Sequence, residues 1–208
     1  MATPLRVGVL ASGGGTNLQA LLDTVHGREA QIVAVASDRA DARALQRARE
    51  AGVATAVFAL GDFADRPARD DAIAGWLAER GVELVVLAGY MALLTTPLLG
   101  RFAGRVINVH PSLLPAFPGL RAIEQALAYG VKVFGVTVHF VDDDGGVDSG
   151  PVLLQRAIEL PAASDPDEVL AALRPLEHEL LPEAVRLVAR GAVGRDPENP
   201  RRVVVAEA

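Results

Sequence analysis

Asn108 and His110 stand two positions apart in the sequence VINVH, which reads as a β-strand running into a loop. Alternate residues of a strand point to the same side, so an amide and an imidazole would face one site. An amide N–H₂ can stabilise a developing oxyanion, and a histidine can stabilise it as imidazolium or move a proton. The spacing alone leaves a second interpretation equally open, in which the pair only satisfies the backbone of the following loop.

Asp148 is the third candidate for chemistry, in the glycine-rich turn GGVDSGP. A carboxylate near His110 would stabilise the imidazolium and could accept a proton through water. Taken by itself, the position is better explained by an aspartate that bonds to its own turn backbone. The preceding acids, Asp142 to Asp144, are predicted to form a solvated face of the turn. His139 lies nearby, but the spacing fits no established ligand pattern, and no metal is predicted.

A run of three glycines marks a second candidate site, since Ser12 is followed by Gly13, Gly14, Gly15, Thr16 and Asn17. The run follows one predicted strand and opens a predicted helix. Glycines let the backbone approach a ligand closely, and a helix N-terminus offers unpaired N–H groups and a favourable dipole. We therefore predict a phosphate site, in preference to a plain tight turn. Neither the Walker loop nor the dinucleotide fingerprint is complete here, although Asp38 could imitate the acid of the latter.

Short aliphatic runs alternate with helical stretches through the first half of the chain, which predicts a parallel sheet. The fold class is therefore α/β, with a Rossmann-like, open, mostly parallel sheet and helices on both faces. In such sheets, ligands bind outside the carboxyl ends of the strands. The predicted strands and helices of this half are Leu5–Leu10, Thr16–Thr24, Gln31–Ala36, Ala42–Ala51, Ala54–Ala59, Pro67–Arg80, Leu84–Leu87 and Val106–Val109.

The second half begins with the proline-rich sequence PSLLPAFPG, which predicts an irregular loop. A helix over Ala122–Tyr129, strands over Val133–Val141 and Val152–Ile158, and a long helix from Ser164 to about Arg190 are predicted to follow. We predict a single domain over residues 1–190 and a tail over residues 191–208 that is packed on it or partly disordered.

Composition narrows the classes of function. The 208 residues carry a net charge of −6 without a block of Lys or Arg, which disfavours binding of nucleic acid as the main function. The absence of cysteine excludes disulfides and thiolate catalysis. No apolar stretch is long enough for a transmembrane helix or a signal peptide. The sequence therefore predicts a cytoplasmic protein with small-molecule partners.

The sequences INVHPSLLPAFPGL and VTVHFVDDDGGVDSGPVLLQ resemble the formyltransferase family that uses 10-formyltetrahydrofolate. The sequence ASGGGTNLQALLD is similar to the phosphate loop of the members that formylate glycinamide ribonucleotide in purine biosynthesis. This resemblance extends from about Val7 to Glu177. It implies direct transfer of a formyl group from the folate co-substrate to the amine of the ribonucleotide, through a tetrahedral intermediate and without a metal.

The resemblance also assigns roles to residues. It places Asn108, His110 and Asp148 on the catalytic trio and gives the ribonucleotide's phosphate to the glycine loop, residues 13–17. It further implies contacts with the ribonucleotide at Pro111, Gly119 and Glu177, and contacts with the folate at Met91, Ala92, Leu93, Leu94, Val141, Asp142 and Asp148. Two departures affect the folate site: Ala92 stands where some members have arginine, and the turn from His139 to Asp148 is about two residues longer than usual.

Other members of the family are less similar to this chain. Those that formylate methionyl-tRNA would need an additional C-terminal RNA-binding domain and a basic surface. The hydrolases of formyltetrahydrofolate usually carry a regulatory domain ahead of the first strand, where this sequence has four residues. We expect the protein to be a monomer or a homodimer.

Overall fold

The computed structural model describes residues 3–142 and 146–206. Within these ranges the α-helices are α1 (Thr16–Thr24), α2 (Arg43–Glu50), α3 (Arg66–Glu79), α4 (Thr96–Arg101), α5 (Ala122–Tyr129) and α6 (Pro166–Ala189). The strands are β1 (Leu5–Leu10), β2 (Ala30–Ser37), β3 (Ala54–Val57), β4 (Leu84–Leu87), β5 (Val106–His110), β6 (Val133–Phe140), β7 (Val152–Glu159), β8 (Val193–Arg195) and β9 (Val203–Val205).

The chain divides into two compact units, of which the first ends at Asn108. Its strands are parallel, and β1 pairs with both β2 and β4. The register sets Leu10 opposite Leu87, and Leu87 opposite Asn108. The carboxyl ends of β1, β4 and β5 are therefore level with one another, so the segments that follow β1 and β4 begin at the same edge of the sheet as Asn108.

Aliphatic side chains account for this parallel arrangement. All four residues of β4 are buried, as are the last four residues of β1. Such continuous apolar runs are typical of strands that are covered on both faces. Asp65 caps α3 by accepting a hydrogen bond from the backbone N–H of Ala68 at 2.8 Å, which fixes the start of the helix.

The second unit begins at Val109. In it, β6 and β7 form an antiparallel pair in which Val133 lies opposite Glu159 and His139 opposite Val152. The long helix α6 starts after Asp165, whose side chain accepts from the backbone N–H of Asp167. The last two strands, β8 and β9, form an antiparallel hairpin over Val193–Val205.

The α/β fold class with a mostly parallel sheet is confirmed. In the first unit the strands follow the order β3-β2-β1-β4-β5 and pair in parallel, and in the second unit β6 and β7 pair antiparallel. Several predicted bounds shift by one or two residues, and α6 begins at Pro166 instead of Ser164. The number of domains stays a prediction. Of the helices in the described ranges, none is long and apolar enough to cross a membrane.

Candidate active site

The glycine loop after β1 is built around one glycine that the fold requires. Gly15 has a φ of 70°, in the left-handed region, and directly precedes α1. A Cβ atom at this position would lie 2.7 Å from the Cα atom of Ala44. Any other residue would therefore be strained and would also collide with α2.

Gly13 and Gly14 have no such structural reason to be glycine. Both are exposed, and a Cβ atom on either would meet nothing within 4 Å. Their carbonyl oxygens instead hold the loop in place: Gly13 accepts from the backbone N–H of Ala44 at 3.1 Å, and Gly14 accepts from Arg47 Nε at 3.0 Å. The missing side chains leave a backbone surface open to a ligand at a helix N-terminus.

Arg47 is a residue of this region that sequence reasoning missed. Besides the Gly14 carbonyl, its guanidinium contacts the Gln19 side chain at 2.8 Å. It thus brings a fixed positive charge to a loop whose backbone N–H groups already favour an anion. Only its place in α2, opposite α1, reveals the contact, since 33 residues separate it from Gly14 along the chain.

The segment after β4 presents apolar side chains to solvent. Met91 is 61% exposed and Leu93 51% exposed, while Ala92 and Leu94 are half-buried. The segment is joined to the glycine loop by two hydrogen bonds of Ser12, which donates its backbone N–H to the Gly89 carbonyl and accepts from the Met91 N–H. An exposed apolar surface on a backbone that is held in place is typical of a ligand site.

Asp148 lies between two histidines in the second unit. Its Oδ2 atom is 3.2 Å from His110 Nδ1, and its Oδ1 atom is 3.4 Å from His139 Nε2. Asp148 Oδ2 also accepts a hydrogen bond from the Gly119 backbone N–H at 2.7 Å. The predicted proximity of Asp148 to His110 is therefore present in the structure, and the carboxylate also bonds to the loop after β5 through Gly119.

The surroundings of Asp148 favour its charged form. Burial raises the pKa of this carboxyl, but the hydrogen bond to His139, the charge of His110 and the Gly119 N–H together outweigh burial and lower the pKa below its usual 3.8. Asp148 also has a φ of 53°. A non-glycine residue held in the left-handed region is often part of a functional site.

His110 has acceptors at both ring nitrogens. Nε2 is 2.9 Å from the carbonyl oxygen of Phe117, and Nδ1 faces the Asp148 carboxylate. Neither partner can donate a hydrogen, so only the imidazolium satisfies both contacts. Donation from His110 to a substrate oxygen therefore requires that one of these two contacts opens. Phe117, with a φ of 54°, is itself held in the left-handed region.

The sequence predicts no metal site at His139, because its spacing fits no ligand pattern, and it does not reveal the contact of His139 with Asp148. Its ring is buried, with Nδ1 2.9 Å from the Phe140 carbonyl oxygen. The position carries a recognisable signal, because His139 is a titratable residue in a strand of otherwise uncharged residues. Within residues 3–142 and 146–206, no group of three or more His, Cys, Asp or Glu side chains is arranged to hold a metal ion.

Asp142 itself does not belong to the solvated face that the sequence predicts. Asp142 is half-buried and pairs with Arg195 of β8 through two contacts of 3.1 and 2.9 Å. On the far side of the turn, Arg201 donates to the Ser149 carbonyl oxygen at 2.8 Å. The predicted folate residue Val141 is half-buried, and the other two acids, Asp143 and Asp144, lie outside the described residues.

The remaining predicted ribonucleotide contacts lie in the two units as follows. Glu177 is a buried acid of α6, 8% exposed. Pro111 and Gly119 are half-buried residues of the loop after β5.

Asn108, the other predicted catalytic residue, is half-buried at the end of the first unit. The phosphate-loop residues after the glycines lie in the same unit. Thr16 is half-buried and Asn17 buried at the start of α1.

Comparison with known proteins shows which family and which proteins this chain resembles. Residues 5–185 match the family model described as formyl transferase. The chain is 42% identical over 208 residues to a phosphoribosylglycinamide formyltransferase of Mycobacterium tuberculosis, covering 98% of this chain and 95% of that protein. It is 39% identical over 188 residues to the protein of the same name from Haemophilus influenzae, covering 89% and 88%.

A solved structure is similarly close. The crystal structure of glycinamide ribonucleotide transformylase 1 from Symbiobacterium toebii superposes with a TM-score of 0.92 at 45% identity, covering 98% of this chain and 95% of that one. The chain also matches the trifunctional purine biosynthetic protein adenosine-3 of Drosophila melanogaster at 40% identity over 197 residues. It spans only 14% of that longer protein.

Proposed function

Because this chain belongs to the formyl transferase family, we propose that it transfers the formyl group of 10-formyltetrahydrofolate to the amine of glycinamide ribonucleotide in purine biosynthesis. The observation that carries the proposal is the Asp148 carboxylate, held 3.2 Å from His110 in an environment that favours its charge. The relatives that match this chain over nearly their whole length are named for this activity. A monomeric or homodimeric state and a cytoplasmic location stay predictions from the sequence.

Asn108 is the residue we assign to the oxygen of the tetrahedral intermediate. When the ribonucleotide's amine attacks the formyl carbon, the carbonyl oxygen takes up negative charge. An amide N–H₂ fixed at the carboxyl end of a buried strand needs little reorganisation to donate to that oxygen. Two positions further along β5, His110 faces the same side, which supports a shared role in stabilising the charge.

His110 acts in this proposal as an imidazolium that Asp148 maintains. Its positive charge stabilises the oxyanion through space, and it donates directly once the Phe117 carbonyl contact opens. Asp148 then accepts the proton that the amine loses, directly or through water. As the tetrahedral intermediate collapses, that proton passes to the folate nitrogen, and the bond between this nitrogen and the formyl carbon breaks.

The glycine loop is the proposed phosphate site of the ribonucleotide. The N-terminus of α1, the bare backbone of Gly13 and Gly14, and the side chains of Thr16 and Asn17 supply the donors, with Arg47 as a fixed charge. Pro111, Gly119 and Glu177 contact the rest of this substrate. The folate is proposed to bind against Met91, Ala92, Leu93 and Leu94, and against Val141, Asp142 and Asp148.

A comparison of three acceptors tests the proposal. The purified protein is incubated with 10-formyltetrahydrofolate and either glycinamide ribonucleotide, water alone or aminoacylated initiator tRNA, and the folate product is followed by absorbance. We expect product only with the ribonucleotide. Equal rates with water alone would identify a hydrolase, and formylation of the tRNA would identify a different transferase.

Direct transfer has its own test. The chain has no cysteine, and the proposal uses no nucleophilic side chain. Enzyme mixed with formyl-labelled folate in the absence of an amine should therefore retain no label after denaturation. A labelled protein band would show a formyl-enzyme intermediate and contradict the one-step mechanism.

A further inference from the structure

The backbone of the segment from Gly89 to Thr95 is restrained at both of its ends. At its start, Ser12 bonds to the Gly89 carbonyl at 3.0 Å and to the Met91 N–H at 2.9 Å. At its end, the segment is hydrogen-bonded to two charged residues of α3, Arg69 and Asp70. The exposed side chains of Met91 and Leu93 lie between these two anchors.

The charged pair reaches the segment through three hydrogen bonds. Arg69 donates to the Leu93 carbonyl oxygen at 2.9 Å. Asp70 Oδ2 accepts from both the backbone N–H and the hydroxyl of Thr95, at 2.6 and 2.7 Å. The two side chains also bind each other, since Arg69 Nε and one terminal nitrogen lie 2.9 and 2.6 Å from Asp70 Oδ1. Both oxygens of the carboxylate are thus used.

Because the pair is buried, its net contribution to the free energy of folding is expected to be small. Arg69 is 1% exposed and Asp70 is fully buried, so both charges have lost their hydration, and a well-packed apolar pair is often at least as stable. Nor does the pair set the start of α3, because the Asp65 side chain caps that helix. The presence of this pair is better explained by the single geometry in which it holds Leu93 and Thr95.

The polar environment extends beneath the segment. Tyr90 is 8% exposed, and its hydroxyl has no hydrogen-bond partner among the described residues. Burial raises the pKa of this hydroxyl, while the charge of Arg69 opposes that shift. The backbone of the segment is therefore held by the buried Arg69 at the Leu93 carbonyl, while the exposed side chains of Met91 and Leu93 are apolar.

We propose that Arg69 and Asp70 are positioning residues for the folate: they hold the backbone of residues 91–95 so that Met91 and Leu93 present a preformed apolar surface to the co-substrate. This inference rests on the proposed function, which assigns the folate to this segment. Neither residue is proposed to touch the substrate. Preorganisation lowers the entropy that binding would otherwise lose, so the pair acts on folate affinity.

Two conservative variants and one control test the inference. Arg69→Lys keeps the charge, but a single ammonium cannot reproduce the planar fork that serves both Asp70 and the Leu93 carbonyl. Thr95→Val keeps the shape and the backbone N–H but removes the hydroxyl bonded to Asp70. Asp65→Ala is the matched control, because it weakens the start of the same helix without contacting the segment.

Two readouts are measured on each full-length variant: the KM of each substrate, and amide hydrogen exchange resolved to the segment. In Arg69→Lys and Thr95→Val we expect faster exchange over residues 91–95 and a KM for 10-formyltetrahydrofolate raised by about 5- to 20-fold, the effect of one lost hydrogen bond. The KM for the ribonucleotide and kcat should change less than about twofold. In Asp65→Ala only the first turn of α3 should exchange faster.

Unchanged exchange over residues 91–95 in both variants would overturn the inference, as would faster exchange with an unaltered folate KM. An equal rise of the folate KM in Asp65→Ala would also overturn it, because a general loss of stability would then explain the effect. Failure of the proposed function has a different signature, in which the wild-type protein itself does not formylate glycinamide ribonucleotide.

Discussion

Asp148 Oδ2 lies 3.2 Å from His110 Nδ1 and accepts the Gly119 N–H at 2.7 Å. Replacing this carboxylate with an amide of the same size removes the charge that supports the imidazolium and the acceptor for the proton. We expect Asp148→Asn to lower kcat by about 10²–10⁴-fold, the range for a general acid–base group, with much smaller changes in either KM. Steady-state kinetics with both substrates measures this.

The matched control for that variant is Asp144→Asn, at a position outside the described residues but in the same turn of the sequence. It makes the same change of charge and should leave kcat nearly normal. If Asp144→Asn abolished activity and Asp148→Asn did not, the longer turn would have shifted the register of the resemblance, and the catalytic carboxylate would be misassigned.

The lowered pKa of Asp148 leads us to expect that the stability of the fold depends on pH. Its pKa is lower in the folded protein than the usual 3.8, because the His139 hydrogen bond, the His110 charge and the Gly119 N–H outweigh the effect of burial. Such a carboxyl stabilises the fold above its unfolded pKa, and that stabilisation is lost as the pH falls through the folded pKa. Denaturant unfolding of wild type and Asp148→Asn should therefore show a free-energy difference that shrinks below about pH 4. A difference that stays constant from pH 6 to pH 2 would contradict the lowered pKa.

Asn108→Ala should lower kcat by about 10²–10³-fold, the usual cost of one lost oxyanion donor. The melting temperature should change little, since Asn108 is only half-buried at the end of β5. Kinetics and thermal unfolding on the same preparation separate the two effects. Near-normal kcat with a lowered melting temperature would instead assign Asn108 to the packing of the strand end.

Gly14→Val should raise the KM for the ribonucleotide by at least about tenfold, because the new side chain occupies the backbone surface proposed to receive the phosphate. The melting temperature should not fall, since a Cβ at Gly14 meets nothing within 4 Å. Gly61→Val makes the same change at another open glycine and should be silent in both assays. Gly15→Val is a poorer test, because its clash with Ala44 would destabilise the protein. An unaltered ribonucleotide KM in folded Gly14→Val would place the phosphate elsewhere.

Much of the fold follows from local patterns in the sequence. The bounds of β1, α1, β4 and α5 are those predicted, because each is a clear apolar or amphipathic run, and α5 is also stopped by Gly130. The short helix α4 was not predicted, since six residues are too few to show a helical period. The sequence does not predict the pairing of β8 with β9 either, because each strand has three residues, too few to show an alternating pattern.

The candidate site could be predicted only in part, because some of its contacts join residues that are far apart in the sequence. Asn108 and His110 lie at the end of a strand and the glycines come soon after one, so their positions at the carboxyl ends of strands can be inferred from order alone. The contact of Asp148 with His110 required the resemblance, since 38 positions separate the two residues. Arg47, Arg69 and His139 act through partners distant in sequence, and no local pattern identifies such contacts.

The terminal hairpin has a practical consequence for handling the protein. Arg195 bonds to Asp142, which precedes Asp148 in the chain, and Arg201 bonds to Ser149, which follows it. Substituting either arginine to improve solubility or crystallisation would remove one of these contacts, so both positions are best left unchanged in such engineering.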